Sequence, residues 1–175
     1  MTSAGTAVSI WAARGGHGAT TVAGALAVIM NLPLESHDSN AIEWLWPGLR
    51  RPDGTSEPCV FDGGTAWKAL SIAHSRAETV AVLRGPCSLG ARSLGRVSGD
   101  LDHLVVLREH GRPLRRQDIE AAIGVTVVAE VNVTSRVARL ADAGLLTARV
   151  ADLAEFSELK DWALKRWPGA TIAAS

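Results

Sequence analysis

Short apolar runs rich in β-branched residues alternate along the chain with longer stretches whose apolar positions recur at helical spacing. Runs of this kind are typical of strands buried on both faces of a sheet. The strands predicted from them cover residues 6–12, 58–62, 79–85, 103–109 and 125–131. The predicted helices cover residues 20–30, 65–76, 88–98, 115–123, 135–143 and 152–166. The alternation predicts an α/β fold, a three-layer α/β/α sandwich around a mainly parallel, twisted sheet.

The segment 31–57 interrupts this alternation. Its stretches NLPLESHDSN and WPGLRRPDGTSEP concentrate Pro, Gly, Asn, Asp and Ser, which favour turns, so we expect irregular structure here. Its larger apolar residues are Trp44, Leu45, Trp46 and Leu49. Two interpretations of them stay open, an exposed patch for a partner and packing over the sheet edge.

Composition and charge indicate a small globular protein. With 175 residues, 47% of them hydrophobic, the chain can bury one ordinary core, so we expect a single domain over residues 1–175. Lys plus Arg and Asp plus Glu number 18 each, so net charge provides no general attraction to nucleic acid or acidic membranes. The only cysteines, Cys59 and Cys87, have no metal-binding spacing and are expected in the core of a protein from a reducing compartment.

The chain contains no apolar run that could cross a bilayer. Its longest one, VAGALAVIM at residues 22–30, is about half the length that a spanning helix needs. The N-terminal stretch MTSAGTAVSI lacks the basic start and cleavage site of a signal peptide. We therefore expect a soluble, cytoplasmic protein without an integral membrane segment.

The candidate chemistry is concentrated in the stretch ARGGHG, residues 13–18, between the first predicted strand and the first predicted helix. A glycine-rich turn in this position lets backbone N–H groups surround an anion, and the helix N-terminus adds partial positive charge. Gly15, Gly16 and Gly18 permit such a turn, and Thr20 stands where a hydroxyl would bind Mg²⁺. The alternative is a tight strand-to-helix turn that binds nothing.

The stretch RGGHGATT resembles the deviant Walker A motif of the ParA/MinD family of P-loop NTPases, K-G-G-x-G-K-T-T, with Arg14 and Ala19 in place of its two lysines. In that family the second lysine reaches the β- and γ-phosphates, and the first reaches across a nucleotide-sandwich dimer. Arg14 keeps a cation, whereas Ala19 cannot replace its lysine. The resemblance implies a nucleotide site formed by Arg14, Gly15, Gly16, His17, Gly18, Ala19, Thr20 and Thr21.

Further segments carry the same resemblance in the same order. SHDSNAIEWLWPGLRRPDG is similar to a D-x-D segment and short helix in actinobacterial septum site-determining proteins, which are CpaE/TadZ-like members, with Ser36 at the first acidic position and Asp38 at the second. CVFDGG resembles the Walker B strand, which implies that Asp62 holds Mg²⁺ through water and, with Thr20, forms the metal site. Segments 77–97 and 111–146 are similar to later strands and helices, so the likeness covers nearly the whole chain.

Three departures from the family pattern lie at positions that serve hydrolysis. Ala19 removes the phosphate lysine, Ser36 removes the acid that would position the attacking water, and Arg108 stands alone where a base-recognition N-K/R pair is expected. The lost lysine would stabilise charge on the transferred phosphoryl group. The departures together predict a pseudo-ATPase or a weak nucleotide-binding module. Its expected cofactor is ATP or ADP with Mg²⁺, and a site without any cofactor remains the alternative.

The resemblance implies a function in spatial organisation, either septum placement or the positioning of a pilus or secretion machine. The expected partner is a second copy of the chain, or a ParA/MinD-like or localisation protein in a heterodimer. One alternative is an active ATPase in which Asp38 and Asp62 are catalytic and Arg14 or a partner residue replaces the missing lysine. Another is a partition accessory that binds DNA phosphates through Arg112, Arg115, Arg116, Arg136 and Arg139.

The C-terminal segment 152–166 also has two interpretations. An amphipathic membrane-targeting helix would need a basic polar face, but Glu155, Glu158 and Asp161 interrupt it. Phe156, Leu159 and Ala163 recur at the spacing of a helix that packs on a core. We therefore predict packing on the core.

Overall fold

The computed structural model describes residues 6–53, 57–65 and 77–169. In these ranges a parallel sheet of 6 strands has the order β2-β3-β1-β4-β5-β6. The strands are β1 (Thr6–Ala12), β2 (Leu34–Ser36), β3 (Cys59–Gly64), β4 (Glu78–Arg84), β5 (His103–Arg108) and β6 (Val127–Asn132). Every neighbouring pair is parallel, which confirms the prediction of a mainly parallel sheet.

The helices of the described ranges lie between these strands and after the last of them. They are α1 (Ala19–Met30), α2 (Ser39–Leu45), α3 (Ser88–Gly95), α4 (Arg116–Ile123), α5 (Ser135–Asp142), α6 (Leu146–Arg149) and α7 (Ser157–Arg166). The helix predicted at 152–166 begins only at Ser157, because two short 3₁₀ turns, Val150–Asp152 and Ala154–Phe156, precede it. The predicted helix 65–76 lies almost entirely outside the described residues.

Alternate residues of the central strands enter two separate apolar layers. Val80, Val82 and Val105 belong to a cluster that α1 and α7 cover. Ala81 and Leu83, their neighbours along β4, belong to a second cluster on the other side, with residues of α3 and α4. A strand directs successive side chains to opposite faces, so both faces of this sheet are buried. The three-layer α/β/α architecture is confirmed.

The segment expected to be irregular contains the edge strand β2 and the helix α2. β2 is short, with Leu34 buried and Glu35 exposed, so its pattern gives no recognisable alternation. Its place comes from pairing with β3, in which Leu34 lies opposite Val60. Asp38 begins α2 by accepting hydrogen bonds from the backbone N–H groups of Asn40 and Ala41, at 3.1 and 3.2 Å.

The tryptophans of this segment have opposite environments. Trp46 is 1% exposed, and its Nε1 donates to the Thr20 carbonyl at 3.0 Å. Trp44 is 68% exposed. Trp46 is therefore packed, though on α1 and not over the sheet edge, and of the four apolar residues only Trp44 is exposed as a partner patch would require.

Two other expectations about the core are tested by burial. Phe156, Leu159 and Ala163 are buried in the cluster around α1, which confirms that the C-terminal helix packs on the core. Cys59 is buried as expected, but Cys87 is only partly buried. The Cys87 sulfur instead accepts a hydrogen bond from the Gly90 N–H at the start of α3, at 3.3 Å.

Candidate functional site

The loop at residues 13–18 connects the end of β1 to the start of α1 and depends on glycine at specific positions. Gly16 and Gly18 have φ angles of 76° and 86°, in the left-handed region that glycine adopts without a steric penalty. A Cβ at residue 18 would also collide with the Leu107 side chain. At Gly15 and Gly16 a Cβ would meet no atom within 4 Å, so the backbone there faces open space. The loop has the form of an open cradle.

The N-terminus of α1 is suited to an anion. Gly18 is its N-cap, no side chain caps it, and its first turn contains no acidic residue. The first N–H groups of a helix have no partner within the helix, and the helix dipole makes this end partly positive. Negatively charged oxygens placed in the cradle would therefore be stabilised by backbone groups alone.

An open cleft of about 490 Å³ lies in front of this loop. Every residue predicted to form the nucleotide site, from Arg14 to Thr21, lines it. The other lining groups come from the carboxyl ends of neighbouring strands and from α2: Ala12, Ser36, His37, Asp38, Ala41, Trp44, Leu45, Asp62, Gly64, Thr65 and Arg84. Ligands of parallel α/β sheets bind at this edge, where the strands end.

Asp62 is the buried acid of the cleft, with 1% of its surface exposed. Its carboxylate accepts hydrogen bonds from the Gly64 N–H and the Ser36 hydroxyl, both at 3.1 Å, and from the Thr20 side chain. Burial raises the pKa of Asp62, and these hydrogen bonds offset part of that effect. The negative charge of Asp38 raises the pKa further. A cation placed beside Asp62 would therefore relieve an unfavourable buried charge.

Thr20 and Asp62 fit Mg²⁺ in the presence of a phosphate ligand. Both supply oxygen, they are hydrogen-bonded to each other, and they line the same cleft. Within the described residues, no group of at least three His, Cys, Asp or Glu side chains could hold a metal ion without other ligands. Mg²⁺ typically takes few protein ligands and completes its shell with water and substrate phosphates. When bound, Mg²⁺ would neutralise the negative charge of the Asp62 carboxylate and of the phosphate oxygens beside it.

Solved structures share the arrangement of this sheet and its helices. A ParA family ATPase from Chlorobium tepidum TLS superposes with a TM-score of 0.65 at 12% identity, over 93% of this chain and 99% of that one. A chain of the MinC:MinD cell division protein complex of Aquifex aeolicus superposes with a TM-score of 0.71 at 14% identity, over 97% and 98%. This chain has the ParA/MinD fold. No protein-family model matches it, and no curated protein sequence matches it.

In this ParA/MinD fold, position 19 contributes no charge to the cleft. Ala19 is 6% exposed and lines the cleft with a methyl group at the start of α1. Arg14 is exposed at the beginning of the loop and, among the described residues, makes no ion pair. The loop geometry is therefore present without a lysine at its usual position.

Ser36 and Asp38 stand at the two acidic positions of the D-x-D segment, and both make hydrogen bonds within their own part of the chain. Ser36 lies opposite Asp62 in the register of β2 and β3, and its hydroxyl accepts a hydrogen bond from the Asp38 N–H at 2.9 Å. The Asp38 carboxylate caps α2. Asp38 lines the cleft, and its hydrogen bonds give it a structural role as the N-cap of α2.

Several arginines considered for base or DNA recognition are paired inside the chain. Arg108 binds Glu130, with Nε 3.0 Å from Oε2, and donates to the Leu114 carbonyl at 2.7 Å. Arg116 contacts Glu130 and Glu158. Arg112 lies 3.4 Å from a Glu109 carboxylate oxygen, whereas the side chains of Arg115, Arg136 and Arg139 are exposed. Arg108, Arg112 and Arg116 could contact phosphate only in competition with the glutamates that they already pair with.

Sequence reasoning missed Arg84. It is the last residue of β4, whose Val82 pairs with Ala12 of β1, and its side chain lines the cleft. Arg84 Nη1 donates to the Gly16 carbonyl at 3.4 Å, and Nε donates to Glu109 Oε1 at 2.9 Å. A charged residue at the end of a buried strand was the only signal in the sequence, since local pattern does not identify which strand lies next to β4 in the sheet.

His17 of the loop is subject to the charges of two arginines, Arg14 of the loop and Arg84 of β4. Burial lowers its pKa, the charges of Arg14 and Arg84 lower it further, and Glu109 acts in the opposite direction. Within the described part of the chain, its Nδ1 is buried without a hydrogen-bond partner. The lowered pKa favours the neutral form of His17, so Arg14 and Arg84 are the cations that line the described part of the cleft.

Proposed function

We propose that this chain binds a nucleotide with Mg²⁺ at loop 13–18 and hydrolyses it extremely slowly or not at all. One observation carries the proposal: the glycine cradle, the uncapped start of α1 and the Thr20–Asp62 pair remain together, while Ala19 stands at the lysine position. The cradle is built from backbone, so binding does not require the lysine. Hydrolysis does, because charge develops on the transferred phosphoryl group.

The proposed cellular function is spatial organisation through dimers and partner proteins. It is supported by the ParA/MinD fold, because one structural neighbour is a ParA family ATPase and the other comes from a complex of cell division proteins. Septum placement and the positioning of a pilus or secretion machine are the processes we propose. A single domain over residues 1–175 and a cytoplasmic location belong to the same proposal. In the described ranges, no helix is long and apolar enough to cross a membrane.

A second candidate is an active ATPase of the same fold. It is favoured by two cations at the loop, Arg14 and Arg84, either of which could stabilise phosphate charge in place of the lysine. The two candidates share nucleotide binding and differ in turnover. An Asp62-dependent turnover assay therefore separates them.

Titration calorimetry with ATP, ADP and GTP, each with and without Mg²⁺, tests the binding step. We expect saturable heat for at least one nucleotide and weaker binding when Mg²⁺ is removed. Asp62→Ala is the matched variant, because it removes the carboxylate while leaving the glycine loop intact. Absence of binding for all three nucleotides would contradict the proposal.

A further inference from the structure

Arg84 extends from the central part of the sheet to the phosphate loop. β4 is adjacent to β1 in the sheet, so its carboxyl end lies beside the start of the loop. The guanidinium lines the cleft together with Gly15, Gly16 and Thr20, and it donates to the Gly16 carbonyl. Among the described residues it is the cleft cation that hydrogen-bonds the loop backbone.

We infer that Arg84 is the cation that binds the phosphate groups of the ligand in this site, where position 19 has no charge. The inference rests on the proposed function, and its ligand class is a nucleoside diphosphate or triphosphate, or pyrophosphate itself. A guanidinium can donate two parallel hydrogen bonds to phosphate oxygens and stays charged at every relevant pH. Arg84 would act in its own subunit, since the same chain provides the loop.

Glu109 positions the Arg84 side chain in the absence of a ligand. Its Oε1 accepts from Arg84 Nε, and its other oxygen lies 3.4 Å from Arg112 Nη2. The Arg84 hydrogen bond is the main cause that lowers the pKa of Glu109, so the pair is ionised at neutral pH. Binding through Nε leaves further N–H groups at the end of the guanidinium, and these are the groups that a phosphate would take.

The geometry also distinguishes Arg84 from Arg14. Arg14 lines the cleft where the loop begins, but it is exposed and makes no ion pair among the described residues, so no carboxylate fixes its side chain. Arg84 is oriented by a strand, a carboxylate and the loop backbone. A preoriented cation loses less side-chain entropy when it binds a ligand.

The test is calorimetry with pyrophosphate and with ATP, both with Mg²⁺, on the full chain. Arg84→Ala and Arg84→Gln should each weaken binding about tenfold or more, the size expected for a lost charged hydrogen bond. Arg50→Ala is the matched control, because Arg50 also pairs with a glutamate and has a similar exposure, 50% against 42%, but does not line the cleft. It should change affinity less than about twofold, since salt bridges at this exposure contribute little.

A charge-replacement variant separates a binding role from a structural one. Ala19→Lys in the Arg84→Ala background should restore affinity to within about threefold of wild type, because it returns a cation to the same phosphates. Unchanged affinity in both Arg84 variants, with wild type binding normally, overturns the inference and leaves the proposed function standing. Absence of binding by wild type to both probes overturns the proposed function and the inference with it.

Discussion

The indole of Trp46 rests on Gly24 of α1 and donates its N–H to the carbonyl of Thr20, one turn earlier in the same helix. This contact joins α2 to the helix that begins at the phosphate loop. Since Thr20 also binds Asp62 through its side chain, the packing of Trp46 supports the position of the candidate metal ligands.

Gly24→Ala should destabilise the protein by about 1–3 kcal/mol, the usual cost of overpacking a core. A Cβ at residue 24 would overlap the Trp46 ring, and the gain in helix propensity, roughly 1 kcal/mol, is too small to compensate. Urea unfolding measures the change. Gly99→Ala is the control, because a Cβ there meets no atom within 4 Å. Equal stability of the two variants would contradict the packing described.

ATP turnover by the wild-type chain should be indistinguishable from a buffer blank, because neither Ala19 nor Ser36 provides the charge that hydrolysis needs. Phosphate release in the steady state is the measurement. A rate above about 1 per minute that disappears in Asp62→Ala would establish the active-ATPase alternative; typical enzymes turn over far faster still. A rate that persists in Asp62→Ala comes from a contaminant.

Ala19→Lys should raise nucleotide affinity, because the residue lines the cleft and the glycines already set the cradle. The readout is the rise in melting temperature on adding Mg-ATP, which should be larger for the variant than for wild type. Ala19→Lys in the Asp62→Ala background is the control, because it adds the same positive charge to a site that lacks the candidate metal ligand. No ligand-dependent shift in either protein would mean that the loop binds no nucleotide.

Asp62→Asn should stabilise the protein at pH 7 to 8. Burial raises the pKa of Asp62, so the folded state binds this proton more tightly than the unfolded state does. The contribution of Asp62 to the free energy of unfolding therefore falls as pH rises from its unfolded-state pKa through its folded-state pKa. Asp62→Asn removes this loss, because an amide does not ionise. The gain in free energy of unfolding should shrink toward pH 4.

Urea unfolding at several pH values measures this effect. Asp142→Asn, at an exposed acid of α5, controls for the change in net charge and should show no comparable gain. Destabilisation by Asp62→Asn at every pH would show that the hydrogen bonds from Ser36 and Gly64 outweigh the cost of burying the charge.

Arg14 should hold a dimer that forms without nucleotide, by pairing with a carboxylate or a bound anion of a second subunit. It is an exposed cation without an ion-pair partner in the described part of the chain, and it stands where the ParA/MinD motif that this loop resembles has its first lysine. Light scattering of wild type and Arg14→Ala, with and without nucleotide, measures the state. A wild-type monomer at all concentrations contradicts the prediction, and a dimer unaffected by Arg14→Ala moves the interface to segment 44–49, where Trp44 is exposed.

Local pattern was sufficient for the central strands, for α1 and for the loop between β1 and α1. A strand buried on both faces needs a continuous apolar run. Gly16 and Gly18 identify the turn because both have left-handed φ angles, which glycine adopts without a steric penalty. The resemblance in RGGHGATT and CVFDGG added Thr20 and Asp62, which the structure brings into hydrogen-bonding contact.

Tertiary structure decided the features that depend on neighbours distant in sequence. β2 exists because Leu34 meets Val60, and Trp46 is buried because Gly24 leaves space for its ring. Arg84 belongs to the cleft only because β4 lies next to β1 in the strand order, which no short stretch of residues encodes. Periodicity records which face of an element is buried, whereas the choice of neighbours follows from how all the buried faces pack together.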